Sequence, residues 1–458
     1  MNKRILIAGN GNAGQTLARD IRARANGDVV VGFLDDVTTG SEVLGTLADV
    51  NAVITAHDVT LVSIAMPSAE ARVIREFIAS IESPDVDLAI VPRTYDMIRR
   101  DTVHIDDVTD VDVLDLVGRK PVKHDLDAAR DFVRGKTVLV TGAAGSIGSR
   151  LVSQLTLLEP ALVVCVDRWE NGVFALQMQL AGRDRVQYRI ADITNEPLLD
   201  RIMAETSPDI VYHAAAYKHV PLMQGNPHEA IRNNLGGTLA VLDAAIAHGV
   251  AHVVYVSTDK AVNPVNVMGA TKRLGELALE ALTRRGTATH FNAVRFGNVI
   301  ESNGSVMQIF RRQIAQGLPL TVTHPDVTRF FMTIDEASQL IIQTTLLGQN
   351  GELFVLDMGE PVRILDLATS LVRATKPDLG IEIVGLRPGE KMYEELSYDA
   401  DSVASTAHDS IFVTRDSPLA DPEATLADLR VLVEQSRDYV LAPEALVERL
   451  RGFGLPVQ

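Results

Sequence analysis

Short apolar runs rich in β-branched residues alternate with longer stretches of helical spacing along most of the chain. Residues 4–8 (RILIA) run into the glycine-rich GNGNAG, a helical stretch from Gln15 to Ala25 follows, and a second apolar run, VVVGFL at 29–34, ends at Asp35 and Asp36. The same order returns later: TVLV at 137–140, TGAAGSIG at 141–148, a helical stretch, then LVVCV ending at Asp167. Continuous apolar runs mark strands covered on both faces, and strands separated by a helix length pair in parallel through crossover connections. The pattern predicts an α/β chain. What repeats is architecture, because the two segments share little beyond glycine placement.

The first unit continues through LVSIAM (61–66), another helix and DLAIVP (87–92), then enters an acidic, Val/Asp-rich connector at 101–117. GRKPVKHD at 118–125 brings turn residues and a change of charge, which sets a boundary between 117 and 135. The second unit continues with DIVYHAA (209–215), HVVYVSTDK (252–260) and FNAVRFGNV (291–299). Beyond residue 300 the alternation becomes irregular, as expected of a smaller lobe that covers a substrate. Residues 401–458 are polar and then helical. The expected division is therefore two Rossmann-like doubly wound parallel-sheet domains in tandem: an N-terminal domain at 1–117, a linker at 118–134, a catalytic domain with substrate lobe at 135–400, and a helical extension at 401–458.

Composition narrows the partners. The 458 residues carry a formal charge of −17, with 60 acidic residues against 43 Lys plus Arg. A nucleic-acid groove needs clustered positive charge, so neither that nor a lipid-surface patch is expected. The single cysteine, Cys165, excludes an intrachain disulfide and a cysteine-based zinc cluster, and suits a reducing compartment. No stretch approaches the length of a membrane span, and no metal-ligand spacing links the histidines. A cytoplasmic protein without metal or nucleic acid is expected.

The strongest cofactor signal is TGAAGSIG, with Gly142, Gly145 and Gly148 after a strand and opening a helix. Glycines permit a tight turn and close backbone approach, and a helix N-terminus presents N–H groups to a pyrophosphate. Asp167, 19 residues past Gly148, stands where a carboxylate accepts bonds from an adenosine ribose and repels a 2′-phosphate, which favours NAD; Arg168 beside it pulls the other way. The N-terminal copy has Gly9, Gly11 and Gly14 with Asp35, but its strand ends IAMPS and IVPRT carry little acid–base chemistry. That copy suits either a bound nucleotide or a packing domain without ligand.

Ser257, Thr258, Asp259 and Lys260 follow directly on VVYV, at a strand end where open α/β sheets bind their ligands. Eight residues on, Met268-Gly-Ala-Thr-Lys272 opens a long helix. A short-chain dehydrogenase/reductase places Tyr-x-x-x-Lys there. Methionine in the tyrosine position can neither donate nor accept the hydroxyl proton. On composition alone, Asp259 and Lys260 also suit a surface ion pair, with Met268 as core filler.

TGAAGSIG, HAAAYKHVPLM (213–223), STDKAVNPVNVMGATKR (257–273), VRFGNV (294–299), VTHPDVTRFFMTIDEA (322–337) and LRPGEK (386–391) together resemble the CapD-like polysaccharide-biosynthesis proteins. That family comprises extended short-chain dehydrogenase/reductases acting as UDP-N-acetylglucosamine 4,6-dehydratases, and the resemblance covers nearly the whole chain. It implies an NAD site built from Gly142, Gly145, Ser146, Ile147, Gly148, Asp167, Arg168, Asp192, Ile193, Ala214, Ala215, Ala216 and Lys272. It implies a catalytic set of Thr258 at the C4 hydroxyl, Asp259 as acid and Lys260 as C5 base, with Met268 and Lys272 alongside. Lys218, Asn298, Arg329, Arg387 and Glu390 match substrate-side positions, and ESNGS (301–305) departs from the commoner glycine at Glu301.

The chemistry has its own logic. The C5 hydrogen of a hexose is not acidic until C4 is a ketone, so water loss across C5 and C6 needs one acid, one base and a held nicotinamide. Adjacent Asp259 and Lys260 favour each other's charged forms, whereas the acid must carry a proton and the base must lack one. A UDP-sugar 4-epimerase or oxidoreductase, and a nucleotide-sensing protein without turnover, are the other readings of the same residues. Finally, Leu274, Leu277, Ala278 and Leu282 form one apolar stripe on the helix at 268–284, and the helix at 237–248 is rich in Ala and Leu. The stripe predicts a homodimer through a four-helix contact, or else burial within the chain.

Overall fold

The structure is a computed structural model that describes residues 2–24, 27–92, 102–118, 126–300, 302–398, 403–414, 419–437, 439 and 441–458. Glu301 and most of GRKPVKHD lie outside the described residues. The chain packs as two compact units, one of 1–121, 304–331 and 360–385, the other of 122–303, 332–359 and 386–458.

The first unit holds a six-stranded sheet of β1 (Arg4–Ala8), β2 (Val29–Leu34), β3 (Val43–Gly45), β4 (Leu61–Ile64), β5 (Asp87–Ile90) and β6 (Thr109–Asp110), in the order β3-β2-β1-β4-β5-β6. β1 to β5 are parallel and β6 runs antiparallel on the edge. Ile5, Ile7, Leu17, Ile21 and Phe33 form its core against the helix Asn12–Ala23. The acidic connector is structured: Asp112 accepts from Val113 N at 2.7 Å at the head of the helix Val113–Val117, and from Arg311 Nη2 at 2.7 and 2.9 Å.

Segments expected in a substrate lobe of the catalytic domain pack with this first unit instead. Leu320–Val322 pairs with Ile381–Ile383, and Thr328–Arg329 with Val362–Arg363. Long-range bonds hold them there: on the helix Ile364–Thr375, Arg373 Nε donates to Ile81 O at 2.6 Å and Ser370 Oγ reaches Arg75 O at 3.3 Å. Arg75 lies within the helix Ala71–Ser80 and Ile81 is its C-cap, so both bonds bind the two helices together.

Among the described residues, the main sheet of the second unit has nine strands: β7 (Thr137–Thr141), β8 (Leu162–Asp167), β9 (Val186–Ile190), β10 (Ile210–His213), β11 (His252–Val256), β12 (His290–Arg295), β13 (Leu353–Leu356), β14 (Val403–Ser405) and β15 (Ile411–Thr414). Their order is β14-β15-β13-β12-β11-β10-β7-β8-β9. β7 to β13 pair in parallel, while β14 and β15 close the edge in antiparallel fashion. This is the doubly wound α/β arrangement expected, and the winding reverses between β7 and β10, where a crevice opens beyond the strand ends. The C-terminal extension, read as polar and then helical, contributes β14 and β15 before its two helices, Pro422–Arg437 and Pro443–Gly452.

Those two helices decide the fate of the apolar stripe. Leu274, Ala278 and Leu282 are buried in one cluster with Leu426, Leu429, Leu432, Leu446 and Leu450 of the same chain, and Leu277 packs against it. Arg430 clasps Asp243 with two 2.8 Å bonds, fixing Pro422–Arg437 across the helix Gly237–Ala247. The face from which a homodimer was expected is thus covered from within. Among the described residues, no helix is long and apolar enough to cross a membrane.

Candidate active site

The crevice floor is the loop after β7. Gly142 has φ of +67°, and a Cβ there would sit 2.6 Å from Ala215 N in the loop after β10. A Cβ on Gly148 would lie 2.0 Å from Gly142 O, so the helix Ser146–Leu155 meets its own loop only because position 148 has no side chain. That helix begins at Gly145 with no side-chain cap, the arrangement that offers backbone N–H groups to an anion. Asp167, at the end of β8, accepts from Ala144 N at 2.9 Å and Trp169 N at 2.9 Å, tying the glycine loop to the next strand.

Arg168 turns away from Asp167. Its guanidinium lies over the Tyr217 ring at 4.6 Å, bonds the Tyr217 hydroxyl, and reaches Asp192 Oδ2 at 3.3 Å. Asp192 also accepts from Thr194 N at 2.9 Å, and Ile193 is buried against Gly237. Gly142, Gly148, Ala215, Asp167 and Asp192 therefore line one cradle.

Beyond β11 the chain makes a tight turn, Asp259–Ala261, headed by Thr258. Thr258 Oγ1 donates to Asp259 Oδ1 at 2.8 Å, and Lys260 Nζ reaches the same oxygen at 3.0 Å. Lys260 Nζ also donates to Asn298 Oδ1 at 3.0 Å and pairs with Glu394 Oε1 at 3.5 Å. Asp259 is fully buried, and among the described residues its Oδ2 has no hydrogen-bond partner. A buried carboxylate oxygen without a partner carries a desolvation cost that a proton or a substrate hydroxyl relieves. Asp259 and Lys260 are thus an enclosed pair, not a solvated surface ion pair.

The next helix, Val267–Arg284, is capped by Asn266, whose Oδ1 accepts from Gly269 N at 2.7 Å. A Cβ on Gly269 would fall 2.1 Å from Lys260 O, so this glycine lets the helix start directly on the Asp259–Lys260 turn. Met268 is buried within the main apolar cluster. Lys272 is 4 % exposed, with Nζ 3.9 Å from the Tyr255 ring centre. Burial pushes the Lys272 ammonium down to about 7, against the raising pull of Glu276.

The remaining substrate-side candidates are dispersed. Arg387 and Glu390 share a turn in the second unit, where Arg387 N donates to Glu390 Oε2 at 3.1 Å and Gly389 O accepts from Asn266 Nδ2 at 3.0 Å. Lys218 is exposed after β10. Arg329 belongs to the first unit, where Nη1 bonds Thr328 O at 2.7 Å.

Sequence reasoning missed three groups. Glu276 and Arg295 form a buried two-point pair at 2.8 and 2.7 Å, and Ser257 Oγ donates to Glu276 Oε1 at 2.6 Å. Burial raises the Glu276 carboxyl, but Arg295 and the other donors overcome it and bring it down to about 2. The signal was present, since Glu276 falls one turn after Lys272 and Arg295 ends an apolar run. His213, fully buried between Thr141 Oγ1 (2.7 Å) and Thr238 Oγ1 (2.9 Å), is pushed down to about 3 by burial and is neutral. Glu394, with 3 % of its side chain exposed, follows LRPGEK by three residues and had no signal of its own.

Comparison with known proteins gives this geometry its context. A polysaccharide biosynthesis protein family model matches residues 138–416, and a CoA-binding domain model matches residues 1–92. The chain is 41 % identical over 410 residues to the capsular polysaccharide biosynthesis protein CapD of Staphylococcus aureus, covering 86 % of this chain and 68 % of that one. It is 34 % identical to a UDP-N-acetylglucosamine 4,6-dehydratase (inverting) of Campylobacter jejuni (58 % of this chain, 79 % of the relative) and 38 % identical to a UDP-glucose 4-epimerase of Rickettsia canadensis (57 % and 77 %). Among solved structures, Pen from Bacillus thuringiensis superposes with a TM-score of 0.59 at 35 % identity, over 63 % of this chain and 91 % of that one. DesIV, the dTDP-glucose 4,6-dehydratase of Streptomyces venezuelae, superposes at 0.52 with 22 % identity, over 57 % and 88 %, which speaks for the fold. The second unit is thus an extended short-chain dehydrogenase/reductase fold, and the chain belongs to the polysaccharide biosynthesis protein family.

Proposed function

We propose that the protein is an NAD-dependent UDP-N-acetylglucosamine 4,6-dehydratase, a lyase that removes water across C5 and C6 of the sugar for surface polysaccharide or glycan synthesis. The observation that carries this reading is the enclosed Thr258–Asp259–Lys260 chain, followed in sequence by Met268 where Tyr-x-x-x-Lys has its tyrosine. An epimerase needs proton exchange only at C4. An elimination needs a separate acid and base, and this site holds a carboxyl and an amine in contact.

The residues of the cradle fit a dinucleotide. Gly142 and Gly148 let the loop after β7 close against Ala215 and against its own helix, which sets the N-terminus of the helix at Ser146 beside backbone that carries no side chain. Asp167 suits the adenosine ribose, and Arg168, drawn off by Asp192 and Tyr217, is not spare for a 2′-phosphate; this supports NAD over NADP. When bound, the nicotinamide supplies the chemistry of taking the C4 hydride and returning it to C6.

Thr258 holds the C4 hydroxyl and passes its proton along the 2.8 Å bond to Asp259. Asp259, now protonated, gives that proton to the departing C6 hydroxyl, which leaves as water. Lys260 as the free amine takes the C5 proton, exchanges its ammonium hydrogens with solvent, and later delivers a proton to C5. One water is lost, and both groups end as they began. Lys272 is assigned to the nicotinamide ribose, and Lys218, Asn298, Arg387 and Glu390 are assigned to the UDP-sugar. Arginines suit the diphosphate because the fork is bidentate.

Incubation of the purified protein with UDP-N-acetylglucosamine, followed by mass spectrometry, tests the proposal. Loss of the mass of one water supports it. A mass-neutral 4-epimer supports the epimerase reading, which the Rickettsia relative keeps in view.

A further inference from the structure

In the dehydratase just proposed, on which this inference rests, the proton ledger leaves one group unaccounted for. Lys260 must be a free amine when it attacks the C5 hydrogen. Asp259 cannot take the ammonium proton of Lys260, because it is then filled by the proton of the C4 hydroxyl arriving through Thr258. A second acceptor is needed, and it must touch Lys260.

Two carboxylates pair with Lys260 Nζ: Asp259, from its own turn at 3.0 Å, and Glu394, from the segment after Arg387 at 3.5 Å. Asn298 Oδ1 lies at 3.0 Å and carries no charge. Glu394 is not on the surface: 3 % of its side chain is exposed. Its segment is fastened beneath the catalytic turn. Lys391 Nζ donates to Val262 O at 2.9 Å, Tyr398 OH to Ala261 O at 3.3 Å, and Asn266 Nδ2 to Gly389 O at 3.0 Å. These anchors fix the backbone on both sides of Glu394. The neighbouring Glu395 points elsewhere, toward Lys391 and Asn263.

We propose that Glu394 is a positioning residue that acts through Lys260, orienting the amine and holding its ammonium proton while Lys260 serves as the C5 base. Before elimination an Nζ–H bond breaks and a carboxyl O–H bond forms, leaving a neutral amine beside a neutral acid. Lys260 then takes the C5 proton and, after its ammonium hydrogens exchange with solvent, delivers a proton to C5. Once Asp259 has lost its proton to the leaving water, the proton on Glu394 returns to Lys260. Each group recovers its starting charge, and no further acid or base is required.

Glu394→Gln keeps the shape and removes the acceptor, and Glu394→Asp keeps the acceptor on a shorter stem. The experiment measures, for wild type and both variants, conversion of UDP-N-acetylglucosamine, exchange of its C5 hydrogen with solvent deuterium, and single-turnover reduction of added NAD across a pH range. For Glu394→Gln the expected result is a fall of about 100-fold or more in turnover and C5 exchange, with KM and NAD reduction close to wild type. Raising the pH is expected to restore part of that loss, because hydroxide then strips the Lys260 ammonium; a merely structural defect gains nothing from it. Glu394→Asp is expected to fall between the two. Wild-type turnover in Glu394→Gln, or equal loss of NAD reduction and C5 exchange without recovery at high pH, overturns the inference while the dehydratase reading stands. Absence of water loss in the wild type overturns that reading and this inference with it.

Discussion

Ser257 Oγ donates to Glu276 across 2.6 Å, which ties the residue before Thr258 to an ion pair buried between a helix and β12. Arg295 is fully buried and Glu276 nearly so. Removing one partner of such a pair leaves an uncompensated buried charge. Glu276→Gln is therefore expected to lower unfolding stability by about 3–5 kcal/mol, read by urea denaturation. The pH dependence has a definite sign. The folded Glu276 carboxyl sits at about 2 against an ordinary 4.5, so its contribution is present above about pH 4.5 and is lost as pH falls toward about 2. The gap between wild type and Glu276→Gln is expected to narrow over that window; a gap independent of pH contradicts the assignment.

Substitutions in the catalytic turn separate the steps. Lys260→Ala is expected to stop C5 deuterium exchange while NAD reduction in a single turnover persists. Asp259→Asn is expected to slow both, since it interrupts the route from Thr258 and removes the acid, each loss about 10²–10⁴-fold. Met268→Ala is expected to be milder than either, because the thioether contributes packing alone. Normal turnover in either of the first two variants contradicts the acid and base roles of Asp259 and Lys260.

The two glycine loops allow a matched comparison. A Cβ on Gly148 would meet Gly142 O at 2.0 Å, and one on Gly14 would meet Gly9 O at 1.9 Å. Gly148→Ala is expected to weaken NAD binding severely by forcing the loop open. Gly14→Ala is expected to leave NAD affinity within about twofold, because its clash falls on the loop after β1 and leaves the loop after β7 unchanged. Calorimetric titration with NAD checks both, and equal losses would locate the cofactor wrongly.

Much of this architecture was legible in the chain. The apolar runs at 4–8, 29–34, 137–140 and 252–256 became strands because uninterrupted β-branched residues suit a sheet covered on both faces. Thr258, Asp259, Lys260 and Asn298 meet because successive parallel strands deliver their ends to one edge. Less was legible where meaning depends on a distant partner. The stripe at Leu274, Ala278 and Leu282 announced burial but not its cover, and Leu426, Leu429 and Leu432 lie some 150 residues further on. The grouping of 304–331 and 360–385 with the first unit depends on Arg373 and Ser370 finding carbonyls at Ile81 and Arg75, a match no local pattern encodes. Glu394 stood in the same blind spot.

Because residues 419–458 cover that stripe, deleting them is expected to expose Leu274, Ala278 and Leu282 together. The shortened protein is expected to bind apolar dyes and to self-associate more strongly than the full chain, as measured by light scattering. Unchanged association would mean the stripe is not the surface uncovered.

The most direct test of the central claim runs the reaction with UDP-N-acetylglucosamine in deuterated water and reads the product by mass and proton resonance. The account predicts a 4-keto-6-deoxy sugar nucleotide, lighter by one water, with a single solvent deuteron at C5 and the C4 hydrogen relocated to C6. Recovery of a mass-neutral epimer, or of unchanged substrate with NAD bound, would contradict it.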